Sequence, residues 1–369
     1  MRRAEELKER TVWKSDPHTQ VKHLVYRHYL QCWMGKICQT FPEATIVDAF
    51  AGPGVYTDGP PGSPVVIART FLEHSAYQRF NRLNLICLEE RPDRVEELQR
   101  QFAKLPKAPK LHISVQPPGK FADQQSRLSA LAHRGRAETP VLWVVDPFDL
   151  KSAPYSLIRQ CLAAPRDEVL FTLFTNELHR FCQREGYDKA MTPYFGGTHW
   201  QAAVPERLGR REAFATAYQQ GFTDQGLFTG SFGIRISNQS ARYHLILATH
   251  SEAGLKCWAP VTWKLDRYSG QGASTETAGA PSLFDEASWV VDRLDAALRA
   301  HAGTEQRWET LSGQAARLNH TDKHLRQSLD NLAAQGLAFR VDPVRARTAW
   351  PEGCTVRFYA PEDVADESF

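Results

Sequence analysis

The chain has 369 residues, 42% of them apolar, enough for one large domain with additions or for two domains. A formal charge of +3, from 45 Lys and Arg against 42 Asp and Glu, neither demands nor excludes nucleic acid, because local patches matter more than the total. No run is long and apolar enough to span a bilayer, the opening residues lack an apolar signal core, and seven cysteines with no Cys-x-x-Cys pair make zinc sites and disulfide frameworks unexpected, so a reducing cytoplasm fits best.

Asp16-Pro17 is a helix start signal, and Val21, Leu24, Val25, Tyr29, Trp33 and Ile37 recur at helical spacing, which predicts a helix over 19–38. Strand one follows at 45–50 and runs into Gly52-Pro53-Gly54. The Pro- and Gly-rich segment 56–64 is a loop over the carboxyl end of that strand. Helix is expected at 65–73, 93–103 and 121–133, and strands two to four at 83–88, 111–115 and 141–145. Residues 169–174 read as strand five and 178–184 as helix. The stretch 181–219 is aromatic, charged and irregular, and reads as a substrate-side insertion over about 178–222. Segments 233–237 and 243–248 alternate about a polar turn and predict a closing hairpin of strands six and seven. A first domain over 1–268 is then followed by a Gly/Ser/Thr-rich linker over 269–283. In 284–360, helices at 294–301, 311–318 and 323–335, then a strand pair around a loop carrying Arg345 and Arg347, give a winged-helix outline. The tail 361–369 is acidic.

Three apolar strands thus deliver polar or glycine-rich residues at the same end: Gly52 and Gly54 after strand one, Glu89 after strand two, Asp146 after strand four. Open α/β sheets bind ligands there, at a topological switch point. The spacing resembles that of a Rossmann-like class I S-adenosylmethionine-dependent methyltransferase, so the expected fold is α/β, such a sheet with a helical insertion and a C-terminal winged-helix-like module. S-adenosylmethionine needs backbone partners for its methionine zwitterion, an acceptor for its ribose diol, and its sulfonium facing the acceptor atom. Asp48, Phe50, Ala51, Gly52 and Gly54 suit the first need and Glu89 the second; Glu89 alone reads equally as an acid at a helix start. Glu90 reads as surface. Lys22 and His23, on the first helix, join the cofactor-binding set, with Lys22 offered to a carboxylate or phosphate; a solvated basic face is the plainer reading of each. Asp146-Pro147-Phe148 is the catalytic candidate, the acid accepting from an exocyclic amine and the ring stacking on a flipped base, against the plain alternative of an Asp-Pro turn. Lys323, Arg326, Arg345 and Arg347 are candidate phosphate contacts, although a winged helix serves equally as a protein-docking module. No metal site is expected.

The series His18-Thr19-x-x-Lys22-His23, Tyr29-Leu30-x-x-Trp33, Val47-Asp48-Ala49-Phe50-Ala51-Gly52-Pro53-Gly54, Gly62-Ser63-Pro64, Asp146-Pro147-Phe148 and Tyr243 to His250 resembles the three-Cys-motif partner proteins, TcmP. The resemblance covers most of the chain. It implies a methyltransferase-like protein with a bacterial partner whose three-cysteine motif resembles radical S-adenosylmethionine enzymes. The Lys-His and Asp-Pro-aromatic elements are similar to those of ribosomal-RNA adenine-N6 methyltransferases. Two departures stand out: Asp149 replaces a usual Gly, and Gln116-Pro117-Pro118-Gly119 lacks the acid that often contacts adenine. Three functions remain open: a methyltransferase acting on a base amine of nucleic acid, a winged-helix binding protein whose first domain only senses the cofactor, and a methyltransferase acting on a protein or small molecule.

Overall fold

The computed structural model describes residues 9–182, 186, 188–203, 210–236, 241–280, 292–342 and 349–360. Helix α1 (Pro17–Thr40) starts at a proline, whose fixed φ suits a first turn, and buries Val21, Val25, Tyr29, Trp33 and Met34. Then come β1 (Glu43–Asp48), α2 (Ser63–Leu72), β2 (Arg82–Cys87), α3 (Pro92–Ala103), β3 (Leu111–Val115), α4 (Phe121–His133), β4 (Val141–Val145), α5 (Tyr155–Gln160) and β5 (Asp167–Leu173). Strands β6 (Phe228–Arg235), β7 (Ala241–Thr249) and β8 (Gly272–Ala273) complete an eight-stranded sheet in the order β3-β2-β1-β4-β5-β7-β6-β8. The first five strands run parallel and β7 is antiparallel to both neighbours. Strand order reverses between β1 and β4, which is the switch point the sequence pattern anticipates. All five residues of β4 are buried, as expected of a parallel strand covered on both faces.

The insertion is built of four helices, α6 (Thr175–Phe181), α7 (Asp188–Phe195), α8 (His199–Ala203) and α9 (Arg210–Thr223), among the described residues. Its rings are core. Phe214, Tyr218 and Phe222 share one face of α9, and Tyr218 stacks on Phe171 of β5 at 5.3 Å. Helix α10 (Glu252–Leu265) holds Gly254 and Pro260, residues that hide a helix from a propensity reading, yet it buries Leu255, Trp258, Val261 and Leu265. Cys257 on α10 is bonded to Cys32 on α1, 225 residues away. This corrects the expectation that the cysteines stay unpaired, and removes one premise of the reducing-compartment expectation.

Residues 269–280 also differ from the expected linker. Asp266 gathers the segment, accepting from Ser269 N at 3.1 Å, Gln271 N at 3.0 Å and Gly272 N at 3.2 Å. Gly272 then enters the sheet as β8, where a Cβ would lie 2.4 Å from Gly233 O.

The C-terminal unit comprises α11 (Asp292–Arg299), β9 (Glu305–Arg307), α12 (Trp308–Arg317), α13 (Asp322–Ala334), β10 (Ala338–Arg340) and β11 (Thr355–Phe358). Its three strands pair in the order β10-β11-β9 around a separate core that includes Leu298, Leu311, Leu329, Trp350 and Phe358. The tail 361–369 lies outside the described residues.

Candidate functional site

The carboxyl ends of β1, β2 and β4 open onto a cavity of about 550 Å³ lined by Phe50, Glu89, Glu90, Gly119, Phe121 and Phe148, among others. Phe50 and Phe121 meet edge to face at 5.6 Å and give it an apolar wall. Glu89, only 4% exposed, stands at the end of β2. Its Oε2 accepts from Gly52 N at 3.0 Å and its Oε1 from Arg91 N at 3.0 Å, while Arg94 Nη1 lies 3.8 Å from Oε1. Burial pushes its carboxyl up, against the pull of these donors and of Arg94. Glu90 is exposed at the rim, 3.9 Å from Lys120.

Phe50 and Glu89 therefore line the cavity, whereas Asp48, Ala51, Gly52 and Gly54 form the turn beside it. Gly52 and Gly54 both have positive φ, at 60° and 74°. The two glycines serve different needs. A Cβ on Gly52 would face Trp13 at 3.8 Å, but one on Gly54 would strike Leu98 of α3 at 2.8 Å. Gly54 is thus required by close packing of the turn on the protein itself. Asp48 is fully buried, with Oδ1 accepting from Phe50 N at 3.3 Å and with no close hydrogen-bond partner on Oδ2 among the described residues. Burial raises its carboxyl to about 7, with Ser63 and Lys22 offsetting part of that cost.

On the same sheet end, Lys22 donates to Asp146 Oδ2, and its ammonium lies 5.9 Å from the Tyr243 ring centroid. Neither Lys22 nor His23 lines the cavity. His23 packs near Tyr26 at 6.1 Å and Tyr56 at 6.0 Å, and burial with the nearby Lys22 lowers it to about 3, so it is neutral at physiological pH. These two residues belong to the Asp146 side of the site rather than to the cavity expected for the cofactor. Pro147 is buried. Phe148, 43% exposed, stands on the cavity wall. Asp149, the departure from the family pattern, caps a short turn by accepting from Lys151 N at 3.1 Å and Ser152 N at 3.0 Å. Gln116 accepts from Arg127 and donates to Ser114, and Gly119 N donates to Glu89 O at 3.1 Å, so the third strand's loop closes against the second.

No protein-family model and no curated protein matches the chain. Among solved structures, it is similar to Trm1 from Pyrococcus horikoshii in complex with S-adenosyl-L-methionine, at 13% identity over 97% of this chain and 94% of that one, with a TM-score of 0.37. It is similar to a DUF574 family protein from Streptomyces avermitilis, at 14% identity over 61% of this chain and 82% of that one, with a TM-score of 0.35. It is also similar to TYW2 from P. horikoshii in complex with MeSAdo, at 15% identity and a TM-score of 0.28, covering 60% of this chain. There the chain spans 62% of the relative's length, less than two thirds. At these scores the likenesses decide nothing about activity.

Trp13 and Arg94 carry the main contacts that the sequence hides. The segment before α1 crosses the site, held by Thr57 N donating to Trp13 O at 2.9 Å and by Ser15 N donating to Asp58 at 2.9 Å. Trp13 meets Tyr56 at 5.9 Å and Phe148 at 5.8 Å, both edge to face. The Arg94 guanidinium lies 4.6 Å from the Trp13 ring centre and 5.2 Å from that of Phe148. Trp13 has no periodic context in the sequence, and Arg94 reads as one more charge on an amphipathic helix.

Of the expected phosphate contacts, Arg326 is turned inward. Its Nε donates to Trp350 O at 3.2 Å and its cation lies 4.8 Å from the Trp308 ring centre, so it holds the C-terminal core together. Lys323 lies exposed at the start of α13. Arg345 and Arg347 fall outside the described residues.

Proposed function

We propose that the chain transfers a methyl group from S-adenosylmethionine to an exocyclic amine of a nucleic-acid base. The observation that carries this is the meeting, at one switch point, of the 550 Å³ cavity with Glu89 on its wall and of Asp146-Pro147-Phe148 beside it. The residues suit the cofactor. Glu89 keeps acceptor capacity for a ribose diol, Phe50 and Phe121 offer faces for a purine, and Asp48 Oδ2, buried without a close partner among the described residues, could accept from a donor such as the methionine ammonium. Bound there, S-adenosylmethionine would supply an electrophilic methyl on a sulfonium. Asp146 Oδ1 would accept a hydrogen bond from the amine, aiming its lone pair, while Lys22 on Oδ2 orients the carboxylate. Phe148 would stack on the unpaired base. The C-terminal order of helix, strand, two helices and a strand pair supports a winged helix. The ordered motifs resembling the three-Cys-motif partner proteins support the same reading, and with it a partner bearing a three-cysteine motif.

Calorimetry with S-adenosylhomocysteine, followed by labelled-methyl transfer to total RNA, DNA and lysate protein, tests the proposal. Heat of binding and label in nucleic acid are expected. Folded protein that gives no heat would overturn it, and label in protein alone would move the acceptor to another class.

A further inference from the structure

Helix α10 and the C-terminal unit meet at a hydrogen-bonded joint. Asn319, left-handed at φ 60° between α12 and α13, is its centre. Its O accepts from Trp263 Nε1 at 2.5 Å, its Oδ1 from Thr262 Oγ1 at 3.1 Å, and its Nδ2 donates to Gly270 O at 2.9 Å. Asparagine suits this place because a short polar side chain tolerates the left-handed region. The joint leaves a groove of about 470 Å³ between the two units. Lys256, Lys264, Arg267 and Lys323 line it, against one lining carboxylate among the described residues, Asp322, which already accepts from Ser312 Oγ at 2.6 Å. Trp263 adds a partly exposed ring, 4.4 Å from that of His324.

Positive charge continues onto α1. Lys264 Nζ lies 3.5 Å from His28 Nδ1. Burial and the cations Lys264 and Arg27 hold His28 below its ordinary value, despite the hydrogen bond it donates to Gln31 Oε1. Burial and Lys256 hold Lys36 down in the same way, against the pull of Glu168 and Asp322. Cations from three helices thus crowd one another on a chain whose overall charge is only +3. Clustered like charge costs free energy in the isolated protein and is relieved by a polyanion. His28 lies six residues along α1 from Lys22, or about 9 Å of helix axis, so the helix that borders the groove also carries the Lys22–Asp146 pair on another of its faces.

We propose that this groove holds the phosphodiester backbone of the polynucleotide whose base enters the Asp146 site. The inference rests on the methyltransferase reading for the substrate's fate, and on the groove alone for its binding. Most of its contacts are supplied by the first domain, through Lys256, Lys264 and Arg267, rather than by the C-terminal unit.

Fluorescence anisotropy with a labelled single-stranded RNA of about 20 nucleotides, and with DNA of the same sequence, tests it without any turnover. Lys264→Glu with Arg267→Glu should weaken binding roughly tenfold or more and lower the log–log salt slope by about 1.4, two lost contacts on a single strand. Lys264→Arg should keep affinity. S-adenosylhomocysteine binding and thermal melting serve as controls and should be unchanged in both variants. Loss in the RNA arm alone identifies RNA as the polyanion, and loss in both arms identifies the shared backbone; either result supports the groove. Unchanged binding in the double variant overturns it, as does wild-type protein that binds neither strand or binds only an acidic polypeptide. Failure of cofactor binding with the groove effect intact would sink the methyltransferase reading and leave the groove standing.

Discussion

At the amino end of the parallel sheet, Asp167 and Glu168 open β5, and each is answered from within the protein. Asp167 accepts from His133 Nε2 and from Ala164 N, both at 2.8 Å, and Glu168 accepts from Tyr29 Oη. At the carboxyl end, Asp48 is as deeply buried as Asp167, yet its Oδ2 has no close hydrogen-bond partner among the described residues. Glu89 stands on a cavity wall, and Asp146 accepts from Lys22 through Oδ2. Buried polar groups that lack partners are costly and uncommon. The difference teaches that the amino-end carboxylates are closed off by side chains packed against the sheet, whereas at the carboxyl end Glu89, although held by Gly52 N and Arg91 N, still faces a cavity.

The sharpest attempt to break this comparison is Asp146→Ala. Turnover should fall on the order of 100-fold or more, with S-adenosylhomocysteine binding nearly intact, because the lost contact is to the acceptor. Full activity in a labelled-methyl assay would remove the amine mechanism. Glu89→Ala should come next, weakening S-adenosylhomocysteine by about 1.5–3 kcal/mol in calorimetry, the worth of hydrogen bonds to a charged group. Unaltered affinity would make Glu89 a structural acid like Asp167.

A paired test sharpens the contrast. Burial lifts Asp48 from 3.8, and Glu168 from 4.5, to about 7. For such acids the unfolded chain gives up its proton first, so their contribution to stability falls as pH rises from about 4 to about 7 and then levels off. Asp48→Asn and Glu168→Gln should each flatten that decline and raise stability at pH 8, on the order of 1 kcal/mol. Only Asp48→Asn should also weaken the cofactor; equal cofactor loss in both would erase the distinction. The smallest effect is expected from Trp13→Ala, which removes the ring over Arg94 and Gly52. S-adenosylhomocysteine affinity should drop by roughly 0.5–1 kcal/mol, mostly as faster release in stopped flow. An affinity gain would show that Trp13 obstructs the cavity rather than covering it.

Much of the sheet was legible. Strands 111–115 and 141–145 and helix 121–133 match the expected ranges, because continuous apolar runs and 3.6-residue periodicity are local properties. Helix α10 was missed because Gly254 and Pro260 lower local propensity while packing on β6 and α1 restores the helix. The rings of α9 fall in a stretch that reads as a substrate-side insertion, yet Phe214, Tyr218 and Phe222 stand four residues apart and are core. Arg326 looked like a phosphate contact because charge alone does not say which way a side chain turns.

By itself the sequence determined which strands deliver Gly52, Glu89 and Asp146 to one end of a sheet, since alternation, apolar runs and turn residues act over a few neighbours. Only the tertiary structure decided that Lys22 meets Asp146 across 124 residues, that Trp13 covers the turn, that Cys32 bonds Cys257, and that Lys264 and Lys323 share one groove. Such pairings carry no local signature. They exist because helices α1 and α10 pack on the same face of the sheet and bring distant residues within reach.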